Sequence, residues 1–201
     1  MNEIQTNVPQ ATSKRLPIYY RILRKFQQDG VQRISSGDLS KAMKIDAATI
    51  RRDFSHFGAL GRKGYGYNVD DLVGFFRKVL QQDEETDVAL VGVGSLGGAI
   101  LKYNFQKNHN IRVVVAFDPK APHEGTLFND IALYQGVILT VPAKVAQEVT
   151  DRLVKAGTRG ILNFTPVRLS VPSDVRIHTI DLSVELQTLI YFLRTDDQQN
   201  D

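Results

Sequence analysis

The sequence predicts an α/β chain, a small winged helical module followed by a doubly wound parallel sheet, and three observations carry that class. An apolar strand, Val88-Ala89-Leu90-Val91, runs directly into Gly92-Val93-Gly94-Ser95-Leu96-Gly97-Gly98 and then into a helix-like stretch from Ala99 to Phe105. Residues 1–80 hold fourteen Lys/Arg against seven Asp/Glu, a net charge of +7, whereas residues 81–201 hold eleven against fifteen, a net of −4. Apolar residues recur at helical spacing in the basic part and in continuous runs in the acidic part. The modest +3 of the 201-residue chain thus hides two halves of opposite sign. That balance suits a polyanion-binding module joined to a small-molecule module.

Leu16, Tyr19, Tyr20, Leu23 and Phe26 recur at spacings of three and four, which predicts an amphipathic first helix ended by Asp29-Gly30. Residues 1–11 and 195–201 read as frayed ends. Ser35-Ser36-Gly37-Asp38 reads as a capping box with Ser35 as N-cap, opening a short helix that carries Leu39, Ala42 and Met43. After the turn Lys44-Ile45-Asp46, Asp46 caps a third helix from Ala47 to Phe57. Ile50, Phe54 and Phe57 share its buried face, and Ala47, Ala48, Thr49, Arg51, Arg52 and Ser55 cover the rest. Small residues at its N-terminal end allow close approach to a groove, and the paired arginines reach phosphates or guanine edges. Two short helices joined by a tight turn, the second basic and small-faced, make a helix-turn-helix.

Gly58 to Val69 then alternates glycines, basic residues and aromatics. This predicts a two-stranded wing whose tip presents Arg62 and Lys63 to a backbone or minor groove. The expected DNA-facing set is Arg15, Ser35, Ala48, Thr49, Arg51, Arg52, His56, Arg62, Lys63 and Tyr65. Asp70 and Asp71 begin a further helix, Leu72 to Leu80. The DNA-binding module is therefore expected over 1–80, with the polar stretch 81–86 as linker.

Residues 87–180 form the expected nucleotide-binding module. The first glycine of Gly92-x-Gly94-x-x-Gly97 allows a tight turn, the second lets backbone approach a pyrophosphate, and the third packs helix on strand. A second strand, Ile111 to Phe117, ends at Asp118, 21 residues after Gly97, where an acid accepts from a ribose 2′-hydroxyl. That favours NAD(H), although Lys120 would tolerate a 2′-phosphate. The sheet resumes at Val137-Ile138-Leu139-Thr140-Val141-Pro142, followed by a helix from Ala143 to Ala156 and strands at Arg159 to Asn163 and Val175 to His178. Because ligands bind beyond the carboxyl ends of such strands, the expected cofactor set is Gly92, Val93, Gly94, Ser95, Leu96, Gly97, Asp118, Thr140, Val141, Pro142, Asn163 and Phe164. Phe164 reads equally well as a core residue. The last segment, 181–201, starts at Asp181 or Ser183 and carries Leu182, Leu186, Leu189, Ile190 and Leu193 with Tyr191 and Phe192. A helix apolar nearly all round and close to a chain end is expected to bury itself against a second subunit.

Several function classes are disfavoured. Cysteine is absent, which removes disulfides, thiolate nucleophiles and thiolate metal sites. No apolar run reaches the roughly 20 residues a spanning helix needs, and polar Met1 to Thr12 lacks a signal-peptide core, so a soluble cytoplasmic protein is expected. His56, His109, His123 and His178 have no metal-ligand spacing, so no metal is expected. Tyr103-Asn104-Phe105-Gln106-Lys107 matches the Tyr-x-x-x-Lys of short-chain dehydrogenases but lies at the far end of the first nucleotide-binding helix, away from any nicotinamide. An enzyme is therefore not expected; an NAD-dependent oxidoreductase with a basic appendage is the alternative, and turnover of NADH would favour it.

Tyr20-Arg21-Ile22-Leu23, the run Ala48 to Gly58, the wing, Val91 to Gly97, Leu139-Thr140-Val141-Pro142, Gly160-Ile161-Leu162-Asn163-Phe164 and Asp181-Leu182 together resemble the Rex family of redox-sensing transcriptional repressors. The resemblance covers nearly the whole chain. It implies a homodimer on a palindromic double-stranded operator, released when NADH replaces NAD, with C-terminal helices exchanged between subunits. It also implies that Arg21 and Asp181 lie near the domain junction. One stretch departs from the family: only 18 residues, Pro119 to Gly136, join Asp118 to the next strand, where a strand-plus-crossover unit takes about 30. A thinner wall around the adenosine, and weaker NADH binding, is expected. A DNA binder of this kind that has lost NADH sensing is the further alternative.

Overall fold

The computed structural model describes residues 8–62, 64–103, 110–120, 134 and 136–197, the last four by backbone alone. They fold into two units, residues 1–84 and 85–201. The first contains α1 (Gln10–Gln28), β1 (Arg33–Ile34), α2 (Ser36–Met43), α3 (Ala47–Ser55), β2 (Tyr67–Asn68) and α4 (Val69–Val79). Leu16, Tyr19, Tyr20 and Leu23 of α1 meet Leu39, Ile50, Phe54, Leu72 and Phe76 in one buried cluster. Its centre is aromatic, with Phe54 edge-on to Tyr19 and to Tyr67 at centroid distances of 5.1 Å. Such pairs contribute roughly 0.5–1.5 kcal/mol each beyond their buried area.

The caps follow the sequence. Ser35 accepts from the Asp38 N–H at the start of α2, and Asp46 accepts from the N–H groups of Ala48 and Thr49 at the start of α3. Lys44, with φ 54°, makes the left-handed turn between them. Two expectations change. The first helix begins at Gln10 and passes through Pro17, so residues 10 and 11 are helical rather than frayed; its first turns are tied down by Thr12, which is buried. The wing is also paired differently. β2 lies antiparallel to β1, with Ile34 opposite Tyr67, and among the described residues of 58–66 the Arg62–Gly66 bridge is the one strand-like pairing. β1 had no sequence signal because two residues are too few to show a period.

The second unit contains β3 (Thr86–Val91), α5 (Ser95–Lys102), β4 (Ile111–Phe117), β5 (Gly136–Leu139), a 3-10 turn (Ala143–Val145), α6 (Ala146–Lys155), β6 (Gly160–Asn163), β7 (Arg176–Thr179) and α7 (Leu182–Asp197). The strands form one parallel sheet in the order β4-β3-β5-β6-β7. Thr86, expected in the linker, opens β3 by pairing with Ile111. The chain steps from β3 outward to β4, then returns to the other side of β3 as β5, so the order reverses between β3 and β5. In sheets of this class the crevice at that reversal, beyond the carboxyl ends, is the ligand site.

Candidate functional site

At the reversal point the strand ladders extend past the strands. Gly92 N–H donates to Phe117 O, and Thr140 N–H donates to Val91 O. This brings the ends of β3, β4 and β5 around one cleft of about 1000 Å³, lined by Val91–Gly94, Ala116–Lys120, Thr140–Pro142, Val145, Glu148, Val149 and Arg152. Seven of the expected cofactor residues therefore meet in it: Gly92, Val93, Gly94, Asp118, Thr140, Val141 and Pro142.

The glycines divide the work. Gly92 has φ +98°, and a Cβ there would come within 2.7 Å of Thr140 O. A Cβ on Gly97 would lie 2.0 Å from Gly92 O and 2.9 Å from Thr140 Oγ1, so this glycine is required for helix-on-loop contact. A Cβ on Gly94 would meet nothing within 4 Å. Space left open there, over the start of α5, is the space a ligand would take. Gly94 is the N-cap of α5 and no side chain caps it. The first-turn N–H groups, from Ser95, Leu96 and Gly97, thus lack intrahelical partners and, with the helix dipole, favour an anion. Thr140 closes the loop from the other side, its hydroxyl donating to Gly92 O at 2.6 Å.

Asp118 is more constrained than its motif suggests. Oδ1 accepts from Lys120 N–H at 2.9 Å and Oδ2 accepts from Val93 N–H at 2.7 Å. Those N–H groups hold its carboxyl below the usual carboxylate range. Asp118 therefore braces the glycine loop while lining the cleft, and a carboxylate with one bond to each oxygen keeps acceptor capacity.

Of the five others, Ser95, Leu96 and Gly97 form the first turn of α5 next to the lining Gly94, whereas Asn163 and Phe164 are engaged elsewhere. Asn163 is fully buried, its Nδ2 donating to Thr165 O, Val167 O and Thr179 Oγ1 while its Oδ1 accepts from Thr165 N–H and Oγ1. It closes the loop after β6 instead of facing a ligand. Phe164 packs on Val88, Leu90 and Ile138, as a core residue does. In the opposite direction, Val145, Glu148, Val149 and Arg152 line the cleft without having been foreseen, because α6 reaches it only through the sheet order. Asn104 to Lys107 and most of Pro119 to Gly136 lie outside the described residues, as do His109 and His123.

On the first unit a second concave surface of about 600 Å³ runs between α3 and the wing, lined among others by Arg33, Ser35, Ser36, Arg51, Ser55, Arg62 and Tyr65. Arg51 donates to Ser36 Oγ at 3.0 Å, which fixes its reach. Ala48, Arg52 and His56 are exposed and Thr49 is half-buried on the same helix. Tyr65 is 64% exposed, and the Arg33 guanidinium sits 3.7 Å from its ring centroid. Arg33 is a cation the sequence reading missed, since its place beside the wing depends on the β1–β2 pairing. Lys63 lies outside the described residues. Arg15, expected in the DNA-facing set, donates through Nε and Nη2 to the two carboxylate oxygens of Asp53 at 2.6 and 2.7 Å.

The residues expected at a junction are each locally engaged or exposed. Arg21 is exposed on α1, and Asp181 Oδ1 accepts from Ser183 and Val184 N–H as the cap of α7. Along α7, Leu182, Val184, Leu186, Leu189, Ile190, Tyr191, Phe192 and Leu193 are all exposed. Among the described residues, no helix is long and apolar enough to cross a membrane and no cluster of metal-ligating side chains occurs.

Comparison with known proteins agrees with this division. The family model described as "Putative DNA-binding protein N-terminus" matches residues 7–55, and the CoA binding domain model matches residues 83–167. A curated relative from Anoxybacillus flavithermus, the redox-sensing transcriptional repressor Rex, is 57% identical over 96% of this chain and 98% of its own. A crystal structure of RSP in complex with β-NAD+ and operator DNA superposes with a TM-score of 0.84 at 35% identity, covering 98% of this chain and 97% of that one. RSP in complex with β-NADH matches with a TM-score of 0.83 at 33% identity, covering 98% and 99%. A two-unit chain with a basic helix-turn-helix and a glycine-loop cleft, at this identity over nearly its full length, belongs to the Rex family of redox-sensing transcriptional repressors.

Proposed function

We propose that this chain represses transcription by binding double-stranded operator DNA as a homodimer and releasing it when NADH occupies the cleft. The observation that carries the reading is the open space at Gly94, at the point where the sheet order reverses between β3 and β5 and beside the uncapped N–H groups of α5. A dinucleotide pyrophosphate fits that site. Gly92 to Gly97 would hold it by backbone, Asp118 would accept from the adenosine ribose, and Thr140, Val141 and Pro142 would flank the nicotinamide side. NAD(H) supplies the redox difference being read; the chain's own residues bind and orient it, and no reaction is catalysed. Arg51, Arg52, Ala48, Thr49, His56, Ser35 and the wing residues Arg62, Lys63 and Tyr65 form the DNA-facing set, joined by Arg33. The working boundaries are 1–80 for the DNA-binding domain, 81–85 for the linker, 86–180 for the NAD(H)-binding domain, which opens with Thr86 of β3, and 181–201 for the dimerisation helix, with Arg21 and Asp181 acting between domains. The protein works in the cytoplasm.

A ligand that binds operator-bound and operator-free states equally shifts nothing, so NADH must prefer the free state. The test is operator binding measured with NADH, with NAD and with neither. Release by NADH but not NAD, lost in Gly94→Val, is the expected result. Retention at millimolar NADH would leave a DNA binder without a sensor, and steady NADH turnover with a carbonyl substrate would return the oxidoreductase reading. Selection by Asp118 predicts that NADPH releases the operator far less well than NADH, since a 2′-phosphate would face a carboxylate.

A further inference from the structure

One buried carboxylate joins α1 to α3. Asp53 follows Arg51 and Arg52 on the inner side of α3 and is 1% exposed. Thr12 Oγ1 donates to its Oδ1 at 2.8 Å, Arg15 donates through Nε to Oδ2 at 2.6 Å and through Nη2 to Oδ1 at 2.7 Å, and the Tyr19 hydroxyl donates to Oδ2 at 2.5 Å. The three donors share one face of α1. Tyr19 is itself locked, its ring stacked on Phe76 at 6.0 Å and edge-on to Phe54 at 5.1 Å. Burial pushes the Asp53 carboxyl up, but the hydrogen bonds from Arg15, Tyr19 and Thr12 outweigh it and keep the group charged. Four hydrogen bonds converging from one helix restrict both the rotation and the axial position of the other, because any slip leaves a buried charge underpaired.

We infer that Asp53 is the positioning residue of the DNA-reading helix. Held by Thr12, Arg15 and Tyr19, it sets the pose from which Arg51 and Arg52 reach DNA, and Arg15 acts through it rather than on DNA. The inference rests on the reading of α3 as the DNA-facing helix. It also gives α1 a role beyond core packing, since α3 is registered on α1 by polar contacts as well as by apolar ones.

The experiment uses the full chain with an operator fragment and an unrelated duplex, each titrated with salt, in the variants Asp53→Asn, Arg15→Lys, Arg15→Ala and Tyr19→Phe. Asp53→Asn should lower operator affinity roughly ten- to a hundredfold, since misplacement by about an ångström costs a preorganised site on that order. Affinity for the unrelated duplex and the salt slope should hold, because no phosphate contact is lost. Arg15→Lys should lose operator affinity as well, and should add nothing on the Asp53→Asn background, as partners in one interaction do. Tyr19→Phe keeps the ring packing and should lose less. NADH binding to the second unit, and an unchanged far-UV circular dichroism spectrum, report that the variants are folded. Unchanged operator affinity alongside a lowered melting temperature would reduce Asp53 to core support and overturn the inference. So would a salt slope that falls by about one per protomer in Arg15→Ala, the mark of a lost phosphate contact. If an Arg51→Ala, Arg52→Ala double variant binds the operator like the parent chain, the DNA-binding reading of α3 fails first, and this inference with it.

Discussion

The two units present function in opposite ways. In the first, the core is closed: a single aromatic-rich cluster and one fully partnered buried carboxylate hold α1, α3 and α4, and the proposed DNA surface consists of side chains pointing away from it. In the second, the proposed ligand surface is backbone, a glycine loop held from behind by Thr140 and Asp118. That unit is also unfinished, for α7 exposes eight large apolar residues. Contiguous apolar surface of that kind marks an association site. A side-chain surface is altered by charge and by truncation, a backbone surface by added Cβ atoms, and an unfinished surface by anything that prevents its burial.

Four measurements test that contrast. The largest effect is expected from salt on the first unit. If a dimer neutralises about six to ten phosphates, operator affinity should fall roughly 10³–10⁵-fold between about 50 and 200 mM salt, with NADH affinity in the absence of DNA almost unmoved. Equal salt sensitivity of both ligands would erase the distinction between the units. Next comes α7. Removing residues 182–201, or the milder Leu186→Glu with Leu189→Glu, should leave a monomer by light scattering. Operator affinity should fall by about 10²–10⁴, the avidity that a second half-site supplies. A truncated chain that remains dimeric would refute the assignment.

The glycine loop should respond to added methyl groups by position rather than by number. Gly97→Ala places its Cβ 2.0 Å from Gly92 O, whereas Gly94→Ala meets nothing within 4 Å. The first should destabilise the second unit by about 1–3 kcal/mol, and the second should leave its melting temperature unchanged. Gly94→Val should then abolish the NADH response in a folded protein. Differential scanning calorimetry separates the two, and an unstable Gly94→Ala would show that the space above α5 is not free.

The smallest effect concerns pH. Asp53 has a folded pKa lowered from its unfolded value near 3.9, so its contribution is present above that value and is lost as pH falls through the folded pKa. Tyr19 has a raised pKa, from burial and then from Asp53, so its contribution is present below about pH 10 and is lost as pH rises through the folded value. Melting curves of Asp53→Asn and Tyr19→Phe should accordingly be flatter than the parent's below about pH 4 and above about pH 10 respectively. Identical curves would mean that the carboxylate cluster does not couple to folding.

Features that depend on short separations along the chain were legible without coordinates. Ser35 and Asp46 cap their helices through neighbours two or three residues away, the first glycine loop follows directly from its strand, and the charge asymmetry is a matter of counting. Helical periodicity likewise placed Ile50 and Phe54 inside and Arg51 and Arg52 outside. Long-range pairings emerged only with the folded chain. Arg15 is read locally as one more exposed cation on a basic helix, yet its partner is 38 residues away. Asn163 stands at the end of a strand where a ligand contact is expected, yet the loop to Val167 and Thr179 of β7 consume its donors. Arg33 reaches Tyr65 because β1 pairs with β2, and α6 reaches the cleft because the sheet reverses at β3. The physical reason is common to these cases. A polar side chain's role is set by which partner satisfies its hydrogen bonds, and once that partner is distant in sequence, no local pattern encodes the choice.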